Sequence, residues 1–317
     1  MNHLRQSKIY RHKFRNQLQT SRGTWSERES IVLREQDGEG RVSFGELCPT
    51  PGFHFFQLDD LFPIVKDWEL GNNYKDNPLI SSAISCIGSE IWDSPIKHKA
   101  TKEVFTSELY STKTAIKKGT NIYKIKIGLY EIEREIENIF ELFDLISPKS
   151  LVRLDANESL AIKDVLRLND VFRNESRFDF LEQPLPREDL SQLFELDSKL
   201  DIRLALDESL VWKNDLDFFT ENGWSGFFVI KPTLFSDWGK TIKFIKANPT
   251  RIIVSTVFES PFGFEAVCRC ASYSDLYAGL DRNLFNKDAT EFVHHHQQPI
   301  KVGNLSISML DSLWERL

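Results

Sequence analysis

Beyond about residue 103, short apolar runs rich in β-branched and aromatic residues alternate with longer amphipathic stretches of helical period. Strands that alternate with helices in this way are typical of parallel βαβ units. Eight such units predict a (β/α)8-type barrel, a modified TIM barrel of the α/β class, rather than an open sheet. The eight predicted strands, of which the first is weak, are 104–110, 123–127, 151–154, 178–181, 202–206, 227–230, 252–255 and 276–280.

The residues before this region follow a different pattern. Three short strands are predicted at 13–18, 29–34 and 41–46. A glycine-rich turn at 37–40 separates the second of these strands from the third. Farther along, apolar residues take helical spacing after Asn77 and Pro78, a pair that favours the start of a helix.

The change of pattern near residue 103 divides the 317-residue chain in two. At roughly 150 residues per domain, the length also favours two domains. We expect an N-terminal α+β capping domain over 1–103, completed by about 290–317, and a β/α barrel domain over 104–289.

Composition and charge narrow the class of protein. Hydrophobic residues make up 41% of the chain and charged residues 27%, as in ordinary globular proteins. The formal net charge of −7 argues against a large nucleic-acid interface, which needs basic clusters. No apolar run reaches the ~20 residues of a membrane span, and the basic N-terminus lacks the apolar core of a secretory signal. Four cysteines are too few for a disulfide framework, so we expect a reduced cytoplasmic protein.

Charged side chains follow five successive predicted strands at the point where each strand ends. They are Lys126, Asp155, Glu182, Asp207 and Lys231. Their separations of roughly 24 to 29 residues each correspond to one βα unit. A single Asp or Lys after a strand is usually a helix cap or a solvated loop charge. Five in phase are better explained by an active site, because barrel active sites lie at the carboxyl ends of the strands.

Alternation of side chains along a strand predicts which of them point inward. It assigns Asp207, rather than Glu208, to the central cavity of the barrel. The side chains that share one face on the two earlier strands are Lys124, Lys126, Arg153, Asp155 and Asn157.

Three carboxylates that converge would repel each other unless a cation bridges them. Ligation by oxygen alone favours a hard ion, Mg²⁺ with Mn²⁺ as a second possibility. No His lies at these strand ends, which argues against a zinc site. A lysine beside another cation has a lowered pKa and can serve as a base.

The motifs at these strand ends resemble the enolase superfamily, and more narrowly the o-succinylbenzoate synthase family of menaquinone biosynthesis. The motifs are Lys124-x-Lys126, Asp155-Ala156-Asn157, Glu182-Gln183-Pro184, Asp207-Glu208-Ser209 and Lys231-Pro232. Residues 45–53 and 22–24 resemble that family's two capping-domain loops, and residues 255–260 resemble its strand-seven signature.

The resemblance implies a syn dehydration of a small-molecule carboxylate, 2-succinyl-6-hydroxy-2,4-cyclohexadiene-1-carboxylate, to o-succinylbenzoate. It implies Mg²⁺ held by Asp155, Glu182 and Asp207, Lys126 as base and then acid, and Lys231 as the charge that stabilises the enediolate. Monomer or homo-oligomer remains open. The candidate substrate-binding or supporting residues are Lys124, Arg153, Asn157, Glu208, Arg22, Ser255, Glu259, Ser260, Thr50 and Phe53.

Two alternatives remain. The first is an N-acylamino acid racemase or another epimerase of the superfamily, which also uses two lysines. Dipeptide epimerases carry Asp-x-Asp at strand eight, whereas this chain has Asp281 alone. The second is a barrel that binds Mg²⁺ and a small acid without catalysis, against which Lys126 and Lys231 argue.

Three further features of the sequence give weaker signals. The run His294-His295-His296 could bind a metal but is more typical of a solvated surface segment. Cys268 and Cys270 lie two positions apart in a predicted helix, where side chains do not face each other. Phenylalanines at 53, 55 and 56 near a capping loop predict an apolar lid that excludes water.

Overall fold

The computed structural model divides the chain into two compact units. One unit is Met1–Phe105, Lys231–Thr250 and Val254–Leu317, and the other is Thr106–Ile230 and Arg251–Ile253. The residues that the structure describes are 3–20, 23–51, 53–54, 57–72, 77–93, 103–110, 116, 119–281, 299–303 and 305–317. The first break lies near the expected boundary at 103/104, but later segments group with the N-terminal residues. The division into a cap and a barrel therefore remains a prediction.

The N-terminal unit begins with a three-stranded antiparallel sheet of order β1-β2-β3. The strands are β1 Leu4–Thr20, β2 Gly23–Gln36 and β3 Val42–Leu47. The predicted turn closes through a hydrogen bond of 3.0 Å from Gly40 N to the Asp37 carbonyl, with Gly40 at a φ of 83°. The first two strands are much longer than predicted. Their outer parts are polar, and cross-strand ion pairs such as Arg5–Glu35, 2.7 Å, help to hold them.

Two helices cover this sheet through a hydrophobic core. They are α1 Leu58–Glu69 and α2 Pro78–Ile87, followed by a 3-10 turn, Glu90–Trp92. The predicted helix start is confirmed, because the Asn77 side chain accepts a hydrogen bond of 2.9 Å from Leu79 N and Pro78 is the first helical residue. Leu33, Leu47, Trp68 and Ile80 are all fully buried in this core.

The other unit is built on a parallel sheet. A short strand β4, Glu103–Val104, precedes it and pairs elsewhere, with residues 300–301. Seven strands then follow in the order β11-β10-β9-β8-β7-β6-β5, and the pairings from β5 to β10 are parallel. The strands are β5 Glu108–Tyr110, β6 Ile122–Lys126, β7 Leu151–Asp155, β8 Phe178–Glu182, β9 Leu204–Leu206, β10 Phe227–Ile230 and β11 Ile252–Val254.

Helices separate these strands, which confirms the predicted α/β alternation. The helices are α3 Ile132–Leu145, α4 Ile162–Phe172, α5 Leu190–Lys199, α6 Glu208–Lys213, α7 Leu216–Glu221, α8 Trp238–Ala247 and α9 Pro261–Ala271. The chain ends with β12 Ile300–Lys301 and α10 Ile307–Trp314. None of the helices in the described ranges combines the length and apolar character of a membrane span.

The predicted first and eighth strands differ from the structure. The first splits into β4 and β5, and only β5 joins the parallel sheet. The eighth is reduced to isolated bridges, with Gly279 paired in parallel to Ser255. Gly279 N donates to the Val254 carbonyl, and Ala278 N donates to the Phe105 carbonyl, both at 2.8 Å. A Cβ at Gly279 would lie 2.9 Å from Ser255 Oγ, so a side chain here would crowd that hydroxyl.

Candidate active site

Two lysines on β6 contact the carboxylates of the next two strands. Lys126, Asp155 and Glu182 occupy one row of the sheet register. Lys124 Nζ lies 2.9 Å from Asp155 Oδ2 and 2.6 Å from Glu182 Oε1. Lys126 Nζ lies 3.7 Å from the same Asp155 oxygen. The structure thus brings together three side chains that alternation assigns to one face, Lys124, Lys126 and Asp155, with Glu182 at the end of the next strand.

A β-bulge sets the register of this row. Between Val152 and Arg153 the pairing with β8 shifts, so that Asp179 is the extra residue. Asp179 Oδ2 accepts a hydrogen bond of 2.8 Å from Arg153 Nε. The Arg153 guanidinium also lies 4.9 Å from the ring centroid of Phe180. Arg153, a candidate from its position on the strand, is therefore a buried, ion-paired residue beneath the row.

The three carboxylates act together on Lys124. Burial alone would lower the pKa of this lysine, but the negative charges of Asp155, Glu182 and Asp207 more than offset burial and raise the pKa. Lys124 therefore remains protonated near neutral pH. Asp207, itself buried, belongs to the same electrostatic cluster.

Strand alternation does not extend to Asp207 and Glu208. Strand β9 ends at Leu206, Asp207 is the N-cap residue of α6, and Glu208 is its first helical residue. Alternation places Glu208 on the face away from the cluster, and this is wrong. Glu208 Oε1 accepts a hydrogen bond of 3.0 Å from Asn157 Nδ2, and Asn157 Oδ1 accepts one from Lys126 Nζ. Glu208 is thus linked through Asn157 to Lys126.

Gln183 is a site residue that sequence reasoning missed. Its side chain is fully buried, and its Oε1 accepts from the backbone N–H groups of Asp207 and Ser209 at 3.0 and 3.1 Å. Its Nε2 donates to Ser209 Oγ at 2.7 Å and to the Leu185 carbonyl at 3.0 Å. Gln183 holds a left-handed φ of 36°. The amide therefore fixes the backbone that carries Asp207, and its place in the Glu-Gln-Pro motif was the available signal.

Lys231 belongs to the unit that contains the N-terminal sheet. It is the N-cap residue of a 3-10 turn, Pro232–Leu234, and only 9% of its surface is exposed. Its Nζ lies 4.9 Å from the ring centroid of Phe53, within the range of a cation–π contact. Phe53, expected in a capping loop, thus contacts the lysine that follows β10.

Other candidate hydroxyls of this unit bind backbone carbonyls. Thr50 Oγ1 donates to the Cys48 carbonyl at 2.8 Å and accepts from Arg28 at 3.2 Å. Ser255 Oγ donates to the Gly279 carbonyl at 3.2 Å. The candidates that lie outside the described residues are Arg22, His294, His295, His296, Phe55 and Phe56.

The carboxylate of Glu46 caps α9 and is the second residue that sequence reasoning missed. It accepts hydrogen bonds from Ser260 N at 2.9 Å, from Ser260 Oγ at 2.6 Å and from Gly263 N at 3.1 Å. Burial raises the pKa of Glu46, although the hydrogen bonds from Ser260 oppose this rise. Ser260, expected near substrate, here joins β3 to α9.

The donor chemistry of the cluster suits a hard cation. Asp155, Glu182 and Asp207 supply only carboxylate oxygens, the ligands that Mg²⁺ prefers. In the described parts of the chain, no three His, Cys, Asp or Glu side chains form a ready-made metal cage. The Lys124 ammonium lies within 2.9 Å of oxygens from Asp155 and Glu182, so two of these carboxylates already share one positive charge.

Comparison with known sequences identifies the family. Residues 110–267 match the family described as enolase C-terminal domain-like. The o-succinylbenzoate synthase of Thermosynechococcus vestitus is 26% identical over 281 residues, which cover 83% of this chain and 86% of that protein. The o-succinylbenzoate synthase of Citrobacter koseri is 29% identical over 262 residues, covering 78% of this chain and 79% of that protein.

Solved structures agree on the fold. An o-succinylbenzoate synthase from Thermosynechococcus elongatus, complexed with Mg in its active site, superposes with a TM-score of 0.76 at 21% identity, over 99% of both chains. The L-Ala-D/L-Glu epimerase of Bacillus subtilis superposes with a TM-score of 0.72 at 16% identity, over 89% of this chain and 90% of that one. As the motifs at the strand ends predict, the chain belongs to the enolase superfamily.

Proposed function

We propose that this protein is an o-succinylbenzoate synthase, a hydro-lyase of menaquinone biosynthesis. It would remove water from 2-succinyl-6-hydroxy-2,4-cyclohexadiene-1-carboxylate by syn elimination. The observation that carries the proposal is the row of Lys126, Asp155 and Glu182, in a chain whose curated relatives bear this name. Proton removal beside a carboxylate needs a base, here Lys126, next to concentrated positive charge, which a metal held by the carboxylates would supply.

The proposed architecture is a (β/α)8-type barrel with an N-terminal α+β cap over 1–103. Seven parallel-sheet strands are in place, and two contacts support an eighth position. Gly279 bridges to Ser255, and Ala278 donates a hydrogen bond to Phe105, the residue after β4. We further propose that residues 22–25 and 50–53 cover bound substrate, for which the contact between Phe53 and Lys231 is the support.

Mg²⁺ is the proposed cofactor, with Mn²⁺ as a substitute. Asp155, Glu182 and Asp207 would hold it, because their oxygens match its preference and act on one cation already, the Lys124 ammonium. The metal would bind the substrate carboxylate and offset the negative charge that develops beside it. Lys124, kept protonated, would balance the remaining charge of the cluster.

The proton chemistry is assigned to Lys126. Its neutral amine takes the proton from the carbon that bears the carboxylate, and the electron pair passes into an enediolate. The ammonium so formed then gives the proton to the departing hydroxyl on the same side, which releases water and restores the amine. Asn157 orients Lys126 through a hydrogen bond, and Glu208 orients Asn157.

Lys231 would remain charged and stabilise the enediolate electrostatically. The Phe53 ring lies against its ammonium and limits access of water to it. In a syn elimination the proton and the hydroxyl leave from the same side of the substrate, so only one of the two lysines has to move protons. Lys231 can therefore keep its proton throughout the cycle.

An ultraviolet assay for o-succinylbenzoate tests the proposal. Purified protein and Mg²⁺ should form the product, chelator should stop the reaction, and Asp155→Asn should be inactive. Glu221→Gln, which removes an exposed carboxylate on α7, should keep full activity. Racemisation of an N-acylamino acid, with no dehydration, would instead identify an epimerase. No turnover in either assay would identify a binding protein.

A further inference from the structure

A buried carboxylate ties the turn that carries Lys231 to the segment after β11. Glu259 is 0% exposed. Its Oε1 accepts a hydrogen bond of 2.8 Å from Thr233 Oγ1. Its Oε2 accepts from Thr256 Oγ1 and, at 3.2 Å, from Val257 N. One side chain thus joins two segments of this unit.

The turn itself is short and depends on outside support. Pro232–Leu234 is a single 3-10 turn, and its backbone closes through a bond of 2.9 Å from Leu234 N to the Lys231 carbonyl. Turns of this kind have weaker hydrogen-bond geometry than α-helices. Thr233, two residues after Lys231, gives the turn a charge-assisted hydrogen bond to a fixed acceptor.

Glu259 is fixed from its other side. The next residue, Ser260, donates its backbone N–H and its hydroxyl to Glu46 on β3. A Cβ at Gly263 would lie 2.3 Å from Glu46 Oε2 and 3.0 Å from Glu259 Cβ, so glycine permits the close packing of both carboxylates. Phe258, just before Glu259, holds a left-handed φ of 65°. Such conformations persist where the surrounding structure over-determines them, often at functional sites.

We propose that Glu259 and Thr233 are positioning residues for Lys231. They fix the turn so that the ammonium keeps its place against Phe53 and can stabilise the enediolate. This inference rests on the proposed dehydration. Burial of two neighbouring carboxylates opposes stability unless their hydrogen bonds compensate for lost hydration, and here those bonds go to the Lys231 turn and to α9. A displacement of about 1 Å at a reacting group can cost on the order of 100-fold in rate.

The kinetic test uses Thr233→Val, which removes the hydroxyl and keeps the shape. We expect kcat to fall about 10- to 100-fold with KM changed less than about threefold. Thr233→Ser should restore most of the rate. The matched control is Thr241→Val, because Thr241 is equally buried in the same unit and donates to the Asp237 carbonyl at 2.8 Å. Thr233→Ala replaces the valine variant if that variant fails to fold.

A second measurement needs no substrate. In protein labelled with ¹³C-lysine, the Lys231 side-chain signal is identified by its loss in Lys231→Arg, and the Phe53 ring current shifts it. Thr233→Val should move this signal towards the position of an ordinary lysine, whereas Thr241→Val should leave it in place. Equal kinetic effects of the two valine variants, or a Lys231 signal unmoved by Thr233→Val, would overturn the inference. A moved signal in a protein without dehydratase activity would uphold the positioning role and reject the proposed reaction.

Discussion

Lys124 and Lys126 lie two residues apart on β6, yet their surroundings suit them to different work. Lys124 contacts oxygens of two carboxylates, at 2.9 and 2.6 Å. Lys126 has one carboxylate oxygen at 3.7 Å and the neutral amide of Asn157. An ammonium held by two carboxylates keeps its proton. This contrast supports the proposed assignment of proton transfer to Lys126.

The division of labour between Lys126 and Lys231 is testable by charge-conserving substitution. Lys231→Arg keeps a positive charge and should retain a trace of dehydration. Lys126→Arg should retain none, because arginine does not give up its proton. Lys126→Ala should lose about 10²–10⁴-fold or more in kcat, together with exchange of the substrate-derived proton into solvent, measured by deuterium incorporation. Substantial activity in Lys126→Arg beside an inactive Lys231→Arg would reverse the two roles.

Gln183 allows a prediction about stability. Gln183→Leu leaves the buried N–H groups of Asp207 and Ser209 without their acceptor. Each such loss costs about 1–3 kcal/mol, so urea unfolding should show a loss of about 2–6 kcal/mol for the two groups. Gln192→Leu on α5, where the side chain is only half-buried, serves as the control. Equal stabilities of the two variants would show that the backbone at Asp207 does not depend on the Gln183 amide.

Residue-level prediction worked where side chains lie on regular strands. Lys124, Lys126 and Asp155 share a face because alternation holds along β6 and β7. It failed at Glu208, since β9 ends before that residue and a helix begins. Gln183 could not be assigned by alternation either, because its left-handed backbone departs from strand geometry.

At the scale of elements, prediction was reliable where a local signal matched the tertiary contacts. Asn77 and Pro78 predict the start of α2, because an N-cap side chain and a proline at the first helical position act locally and need no other part of the chain. The long hairpin of β1 and β2 was underestimated, because its polar outer parts are held by pairing across strands rather than by an apolar pattern. The residues after α9 form only bridges where a strand was predicted, because pairing partners decide strand length.

The cap of α9 by Glu46 gives a pH prediction. Because burial raises the pKa of Glu46, the folded protein binds that proton more tightly than the unfolded chain does. The resulting stability is complete below the ordinary carboxyl pKa and is lost as pH rises through the folded pKa. The free energy of unfolding of the wild type, relative to Glu46→Gln, should therefore decrease with rising pH, by at most about 1.4 kcal/mol per pH unit.

Urea titrations of both proteins across the acidic to neutral range measure this difference. Ionisable groups far from Glu46 cancel in the comparison, whereas groups close to it, such as Cys48 and Glu259, do not cancel fully. Parallel curves for the two proteins at every pH would show that Glu46 keeps an ordinary pKa in the folded state.

At the scale of the whole molecule, the proposed metal site would couple metal binding to folding. Asp155, Glu182 and Asp207 bring three carboxylates to one buried region, where the Lys124 ammonium contacts two of them. Like charges held together in the folded state destabilise it relative to the unfolded chain, in which they separate. A divalent cation bound only by the folded state should reverse this effect by mass action.

Measured with and without Mg²⁺, Asp207→Asn distinguishes charge repulsion from metal binding. The substitution removes one charge and one proposed metal ligand but retains the backbone N–H that Gln183 binds. In chelator, this variant should unfold at a higher temperature than the wild type. On addition of Mg²⁺ the wild type should gain about 2.7 kcal/mol at a hundredfold excess over Kd, seen as a rise in the melting midpoint. Asp207→Asn should gain much less and be inactive, whereas Glu221→Gln should respond like the wild type.

A midpoint that Mg²⁺ raises equally in Asp207→Asn and in the wild type would show that Asp207 does not hold the metal. A variant that gains stability and loses activity would mean that the cluster is retained for function at the expense of the fold.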